Sequence, residues 1–163
     1  SLRVGNNTLT VNVTLNIISG SATVIFNRDM PFCDGGDLQT TCWINATHYL
    51  NSTADRVLNA NNVIINSSGA LIISDAVGSY LINLTGNLTI DSGVLINVSG
   101  TSCSSGTCNS GGNITITAQV VNISGKIFAE GGVTTGSASS HYSGKGGIIE
   151  INASTLYINN NSV

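Results

Sequence analysis

Charge is what this chain has least of. Only 8% of its residues are Asp, Glu, Lys or Arg, against about 25% in an average soluble domain. The five basic residues stand far apart, at Arg3, Arg28, Arg56, Lys126 and Lys145, and the net charge is −3. A chain without a basic patch has no electrostatic footprint for nucleic acid. Proline occurs once and aromatics make up 5%. No apolar run approaches the ~20 residues that a membrane span needs, and no stretch has a helical apolar period. The chain begins Ser-Leu-Arg, so a processed form or a fragment of something longer is expected. Low charge does not mean disorder here, because 41% of the residues are hydrophobic. At this length a single domain is expected.

What is abundant is Asn, Ser, Thr and Gly around short apolar alternations. The stretch Gly86–Gly100 shows the pattern. Leu88 and Ile90 face one way, Asn87 and Thr89 the other; after the turn at Asp91-Ser92-Gly93, Val94, Ile96 and Val98 face in. Period-two alternation cut by a glycine turn reads as short, half-buried strands. The pattern recurs. Asn62-Val63-Ile64-Ile65 is followed by Asn87-Leu88-Thr89-Ile90, then Asn113-Ile114-Thr115-Ile116, then Ile148-Ile149-Glu150-Ile151. Spacings of about 25 residues, with short strands and no helix, predict an all-β solenoid of the parallel β-helix type, three strands to a coil. A leucine-rich repeat would need a Leu/Asn framework and a helical side, which are missing. The expected columns join Ile90, Ile116 and Ile151, and separately Leu88, Ile114 and Ile149. The pattern divides the chain into an N-terminal region, 1–55, with strands and a cysteine loop, and the coils of 56–163.

Asn-x-Ser/Thr begins at Asn6, Asn12, Asn45, Asn51, Asn66, Asn83, Asn87, Asn97, Asn113, Asn122, Asn152 and Asn160. Those twelve compare with about five expected by chance from 21 Asn and 38 Ser/Thr. On a strand the Asn and the hydroxyl share the outer face while the middle residue enters the core. Polar decoration of a strand's outer face would give some of this excess. A twofold excess favours N-glycosylation and hence an extracellular or cell-surface protein bearing covalent glycans. The plain sequon points to a eukaryotic or archaeal source, and the Asn/Ile-rich composition to archaea.

Four cysteines fit an oxidising compartment. Three pairings are possible; the local ones, Cys33–Cys42 and Cys103–Cys108, are favoured because each brackets a glycine-containing loop. Each bridge is expected to contribute roughly 2–3 kcal/mol. Neither spacing is that of a zinc ribbon, and His48 and His141 have no matching partners, so no metal is expected. Asp34 and Asp37 lie in a glycine-rich loop that lacks calcium-loop spacing. No cofactor is expected.

Leu9, Val11, Val13, Leu15 and Ile17 alternate strictly over nine residues, longer than a typical coil side. Trp43 with Phe32 is expected to cover one end of the core. Two insertions, Gly100–Gly112 and Gly131–Gly146, both end in Gly-Gly and feed the same strand of the unit, so they are expected to leave one corner, stacked on each other. Such corners are where solenoids often bind.

Ser124-Gly125-Lys126-Ile127-Phe128-Ala129-Glu130-Gly131-Gly132, closing into Gly146-Gly147-Ile148-Ile149-Glu150-Ile151-Asn152-Ala153, resembles the Gly-x-Ile-x-Ala-x-Gly-Gly … Gly-Gly-x-Ile-x-Ile-x-Ala units of β-helical surface adhesins. These include filamentous-haemagglutinin-like proteins and large archaeal surface proteins. The resemblance covers about 56–163. It implies the β-helical fold and an extracellular setting, and brings no catalytic residues.

The function expected is a structural or adhesive glycoprotein, a repeating subunit or segment of a surface filament. Its partners would be identical subunits, head to tail, joined through the Leu9–Ile17 strand. The alternatives are a glycan-binding module using Trp43, Tyr80 or Tyr142, and a β-helical polysaccharide-active enzyme. The enzyme would need convergent carboxylates. Asp29, Asp34, Asp37, Asp55, Asp75 and Asp91 do not recur at one coil position, so no catalytic residue is expected.

Overall fold

The computed structural model describes residues 2–4, 7–9, 33–50, 55–73, 78–136 and 142–159. Within them the chain is all-β. The strands in chain order are β1 (Leu2–Val4), β2 (Asn7–Leu9), β3 (Gly35–Gly36), β4 (Thr41–Ile44), β5 (Thr47–Leu50), β6 (Val57–Ala60), β7 (Asn62–Ile65), β8 (Ala70–Ile73), β9 (Ser79–Leu84), β10 (Asn87–Ile90), β11 (Leu95–Asn97), β12 (Asn113–Ile123), β13 (Lys126–Phe128) and β14 (Ile149–Ile158). Alternation decides them. In β10, Leu88 and Ile90 are fully buried while Asn87 is exposed and Thr89 half-buried. β4, β6, β7 and β9 repeat the same in-and-out pattern.

β1 and β2 form a small antiparallel pair. A larger sheet runs β3-β4-β7-β10-β12-β9-β6, with β14 also on β12; a smaller one runs β13-β11-β8-β5. Apart from β3 on β4, every pairing in these two sheets is parallel. The larger sheet curls at β12. Its first half pairs β9 and its second half pairs β10. The inward series Ile114, Ile116, Ala118 shifts phase at Gln119 to continue as Val121 and Ile123. Inward residues of both sheets meet in one core, with no polar or charged side chain buried among the described residues. Full burial of each Val, Leu or Ile contributes about 1.5–3 kcal/mol.

The register differs from the sequence expectation at one step. Ile65, Ile90, Ile123 and Ile158 align, as do Val63, Leu88, Val121 and Leu156. Ile82, Ile116 and Ile151 make a separate column, and Tyr80, Ile114 and Ile149 another. Ile90 therefore does not stack on Ile116, nor Leu88 on Ile114. The 26-residue step from Asn87 to Asn113 mimics the repeat but joins two different strands. The true partner of Asn87 is Val120, 33 residues on, because the 100–112 insertion lengthens that circuit. Parallel pairing already includes β4 and β5, upstream of Arg56. The sequence hides it because Thr41 and Asn62 are only 21 residues apart.

The two ends of the core differ. At β4 the outer edge is occupied: β3 pairs it antiparallel, and the Asp34 N–H donates to the Trp43 carbonyl (2.7 Å). Cys42, Ile44 and Leu50 there are buried. Trp43 is not a cover over this end. It points outward on β4, 42% exposed, with its ring beside Gly36. At β14 the inward positions lie in water. Ile158 is 70% exposed and Leu156 44%, whereas Ile90 and Leu88 in the same columns are at 0%.

Candidate functional site

Three features outside the core carry the chemistry available to this chain. The first is the face of outward asparagines. Asn83, Asn87 and Asn113 are exposed and Asn97 and Asn122 half-buried, while the middle residues Leu84, Leu88, Val98, Ile114 and Ile123 are buried. Asn45 and Asn152 are exposed and Asn66 half-buried. Asn6, Asn12, Asn51 and Asn160 lie outside the described residues. Amides bridge neighbouring strands: Asn83 Nδ2 donates to Asn59 Oδ1 (3.1 Å), Asn159 Nδ2 to Asn122 Oδ1 (2.8 Å), and Asn66 Nδ2 to Asn45 Oδ1. An amide nitrogen carries two N–H bonds, so one such bridge leaves the second hydrogen available for replacement by a sugar.

The second feature is the clamp at the β4 end. Cys33 and Cys42 are bonded, with Cα atoms 5.2 Å apart. Asp34 accepts from the backbone N–H of Asn45 (2.6 Å) and Ala46 (2.8 Å), and its oxygens lie 3.0 Å from His48 Nε2. Burial pulls the Asp34 carboxyl upward, but the hydrogen bonds from His48, Asn45 and Ala46 outweigh it and hold its pKa below the ordinary carboxylate value. Asp37 is engaged too: Oδ1 accepts from Gln39 N, Thr40 N and the Thr40 hydroxyl, which lowers its pKa. These carboxylates fold a glycine-rich loop. Among the described residues no three His, Cys, Asp or Glu gather as a metal site would require.

The third feature is a spur built by the two insertions. The 100–112 segment links β11 to β12 and the 131–146 segment links β13 to β14. Since β11 pairs β13 and β12 pairs β14, the insertions leave the same corner and lie one on the other. They bond through backbone: Gly100 N to Glu130 O, Cys103 N to Val133 O, Cys108 N to Tyr142 O, Gly111 N to Lys145 O, and Gly132 N to Asn109 O, at 2.8–3.2 Å. Glycine is required by contact. A Cβ on Gly132 would overlap the Thr101 carbonyl oxygen, and one on Gly144 that of Asn109. The Cys103–Cys108 bond closes the lower loop. His141 lies outside the described residues; Tyr142 is exposed.

No family model, no curated protein and no solved structure matches this chain. Its site is therefore read from its own atoms.

Tyr80 is not available as a sugar platform. It is buried over Ile114, and burial, with Asp55 nearby, pushes its hydroxyl pKa upward. Trp43 and Tyr142 are exposed but stand on different parts of the molecule, β4 and the spur. A groove lined by Leu38, Gln39, Asn59, Asn61, Asn83 and Thr85 presents amides and a hydroxyl, with no ionisable side chain. Of the assembly residues, Leu9 ends β2, and Val11, Val13, Leu15 and Ile17 fall outside the described residues. The sequence missed the exposed apolar edge of β14. The signal was there in Leu156, Tyr157 and Ile158, an apolar run in the last strand with no later repeat to cover it. No helix among the described residues is long and apolar enough to cross a membrane.

Proposed function

We propose that this chain is a parallel β-helix serving as a structural or adhesive glycoprotein of a cell surface, a repeating subunit of a filament assembled head to tail. The observation that carries the reading is the contrast between the two ends of the core. One is shut by β3, a disulfide and the His48–Asp34 pair; the other presents Ile149, Leu156 and Ile158 to solvent. A core with one closed and one open end suits head-to-tail addition, a heterologous contact that need not close on itself.

Further support comes from the pairing. β4, β7, β10, the second half of β12 and that of β14 lie in one parallel ladder; β5, β8, β11 and β13 in a second; β6, β9 and the first halves of β12 and β14 in a third. The chain visits the three in rotation, which is the path of a triangular β-helix. The outward sequons and the two disulfides suit an oxidising, extracellular setting. The resemblance to β-helical surface adhesins rests on the residues quoted for it. We read the chain as non-enzymatic, because its carboxylates are dispersed or tied to backbone. The glycan-binding alternative retains Trp43 and Tyr142. Electron microscopy of native surface material labelled by an antibody to this chain tests the reading. Labelled filaments with a regular axial repeat support it; label confined to free monomers refutes it.

A further inference from the structure

We infer that the open edge of β14 is the acceptor for one strand, Leu9–Ile17, of a second copy of this chain. The inference rests on the reading of the protein as a repeating subunit and names the contact that would join the copies. Among the described residues β14 pairs only β12, so one edge of a ten-residue strand presents its N–H and C=O groups without a strand partner. Such an edge is a template for an added strand. Beneath that place the core columns are uncovered. Ile149 is 43% exposed where Ile114 is at 0%, and Ile158 70% where Ile123 is at 7%. The missing occupant must be extended, apolar at every second residue and uncharged, because Glu150 and Lys145 are the only charged residues from Lys145 to Asn159.

The blunt end of a second copy does not meet these terms. Its β4 edge is already filled by β3, and the inward column of Leu71, Ile96 and Ile127 ends there at His48, held by Asp34. Docked directly, that end would set a polar pair against bare aliphatic columns at a desolvation cost. The segment Leu9–Ile17 does meet them. It is the longest strict alternation in the chain, has no charged residue, and offers Leu9, Val11, Val13, Leu15 and Ile17 on one face. Nine extended residues reach about 30 Å, enough to run the length of β14.

Complementation between two full-length glycosylated variants tests this. Val13→Asp spoils the donor strand, and the double variant Ile149→Lys/Ile158→Lys spoils the acceptor. Lysine at these exposed positions leaves the fold intact, which the melting temperature verifies. In sedimentation velocity, wild-type chain should assemble, and each variant alone should assemble at least tenfold more weakly. An equal mixture should form a one-to-one dimer and stop, since each pair retains one good donor and one good acceptor. If Val13→Asp assembles like wild type, another occupant fills the edge: the inference fails and the repeating-subunit reading stands. If wild type and mixture are both monomeric, both fall. If Val13→Asp unfolds a wild type that is monomeric, the segment covers its own chain and the inference fails.

Discussion

His48 Nε2 lies 3.0 Å from both carboxylate oxygens of Asp34. The pair ends the inward column that begins with Ile127 and passes through Ile96 and Leu71. A polar clamp therefore closes one end of an aliphatic core whose other end is bare. Asp34 also fixes the turn between β4 and β5 through Asn45 and Ala46.

The clamp makes stability depend on acid. Asp34 has a lowered pKa in the folded chain. A depressed carboxyl contributes stability above its unfolded pKa and loses it as pH falls through the folded value. Thermal unfolding followed from about pH 7 down to about pH 2 should show melting temperature declining below the ordinary carboxylate range near ~4. Asp34→Ala should lower the melting temperature at neutral pH and flatten that decline. An unchanged acid limb in the variant would show that Asp34 is not the group responsible.

The register is open to a direct chemical check. Thr89 and Asn122 are outward neighbours on β10 and β12, and parallel strands lie about 4.8 Å apart, within disulfide reach. Oxidised Thr89→Cys/Asn122→Cys should form an intramolecular bridge, seen as a two-proton mass loss and a mapped peptide. Thr89→Cys/Thr115→Cys should not. The opposite result would restore the simpler 26-residue repeat.

How far the fold could be read in advance follows from these same residues. Leu88 and Ile90 against Asn87 and Thr89 announce a strand whatever surrounds them, because period two is local. The cysteine pairs were legible because each spans a short glycine loop. The partner of Thr89 was not, since Asn-x-Thr-Ile recurs in two different strands and an insertion hides the true step. The inward position of Tyr80 and the outward one of Trp43 follow from phase in β9 and β4, which the polar hydroxyl and the bulky indole disguise. The exposure of Ile158 depends on what lies beyond its strand, and its own sequence looks like any other core position.

Core and open end should respond oppositely to truncation. Ile116 is fully buried, so Ile116→Ala should cost about 2–5 kcal/mol. Ile158→Ala in the dilute, unassembled chain should cost within about 0.5 kcal/mol, as an exposed site does. Urea unfolding measures both; a large loss at Ile158 would mean that another part of the same chain covers it.

The spur should be separable from the core. Cys103→Ser/Cys108→Ser should remove about 2 kcal/mol by loop-closure entropy, and Gly132→Ala should open the bonds between the insertions. Hydrogen exchange should quicken at Gly100, Gly111 and Cys108 while Ile82, Ile90 and Ile116 stay protected. Faster exchange throughout would make the spur part of the cooperative unit.

Glycans should occupy the outward sequons Asn83, Asn87, Asn97, Asn113 and Asn122. Intact-glycopeptide mass spectrometry on native material decides it, and bare peptides at these sites would reduce the asparagines to surface polarity.

The most direct test of the central claim is the mass of the native, glycosylated full-length chain measured by sedimentation over a wide concentration range. A head-to-tail subunit should grow open-endedly, with average mass rising continuously and no preferred closed oligomer. A single monomer mass at every concentration would contradict the account.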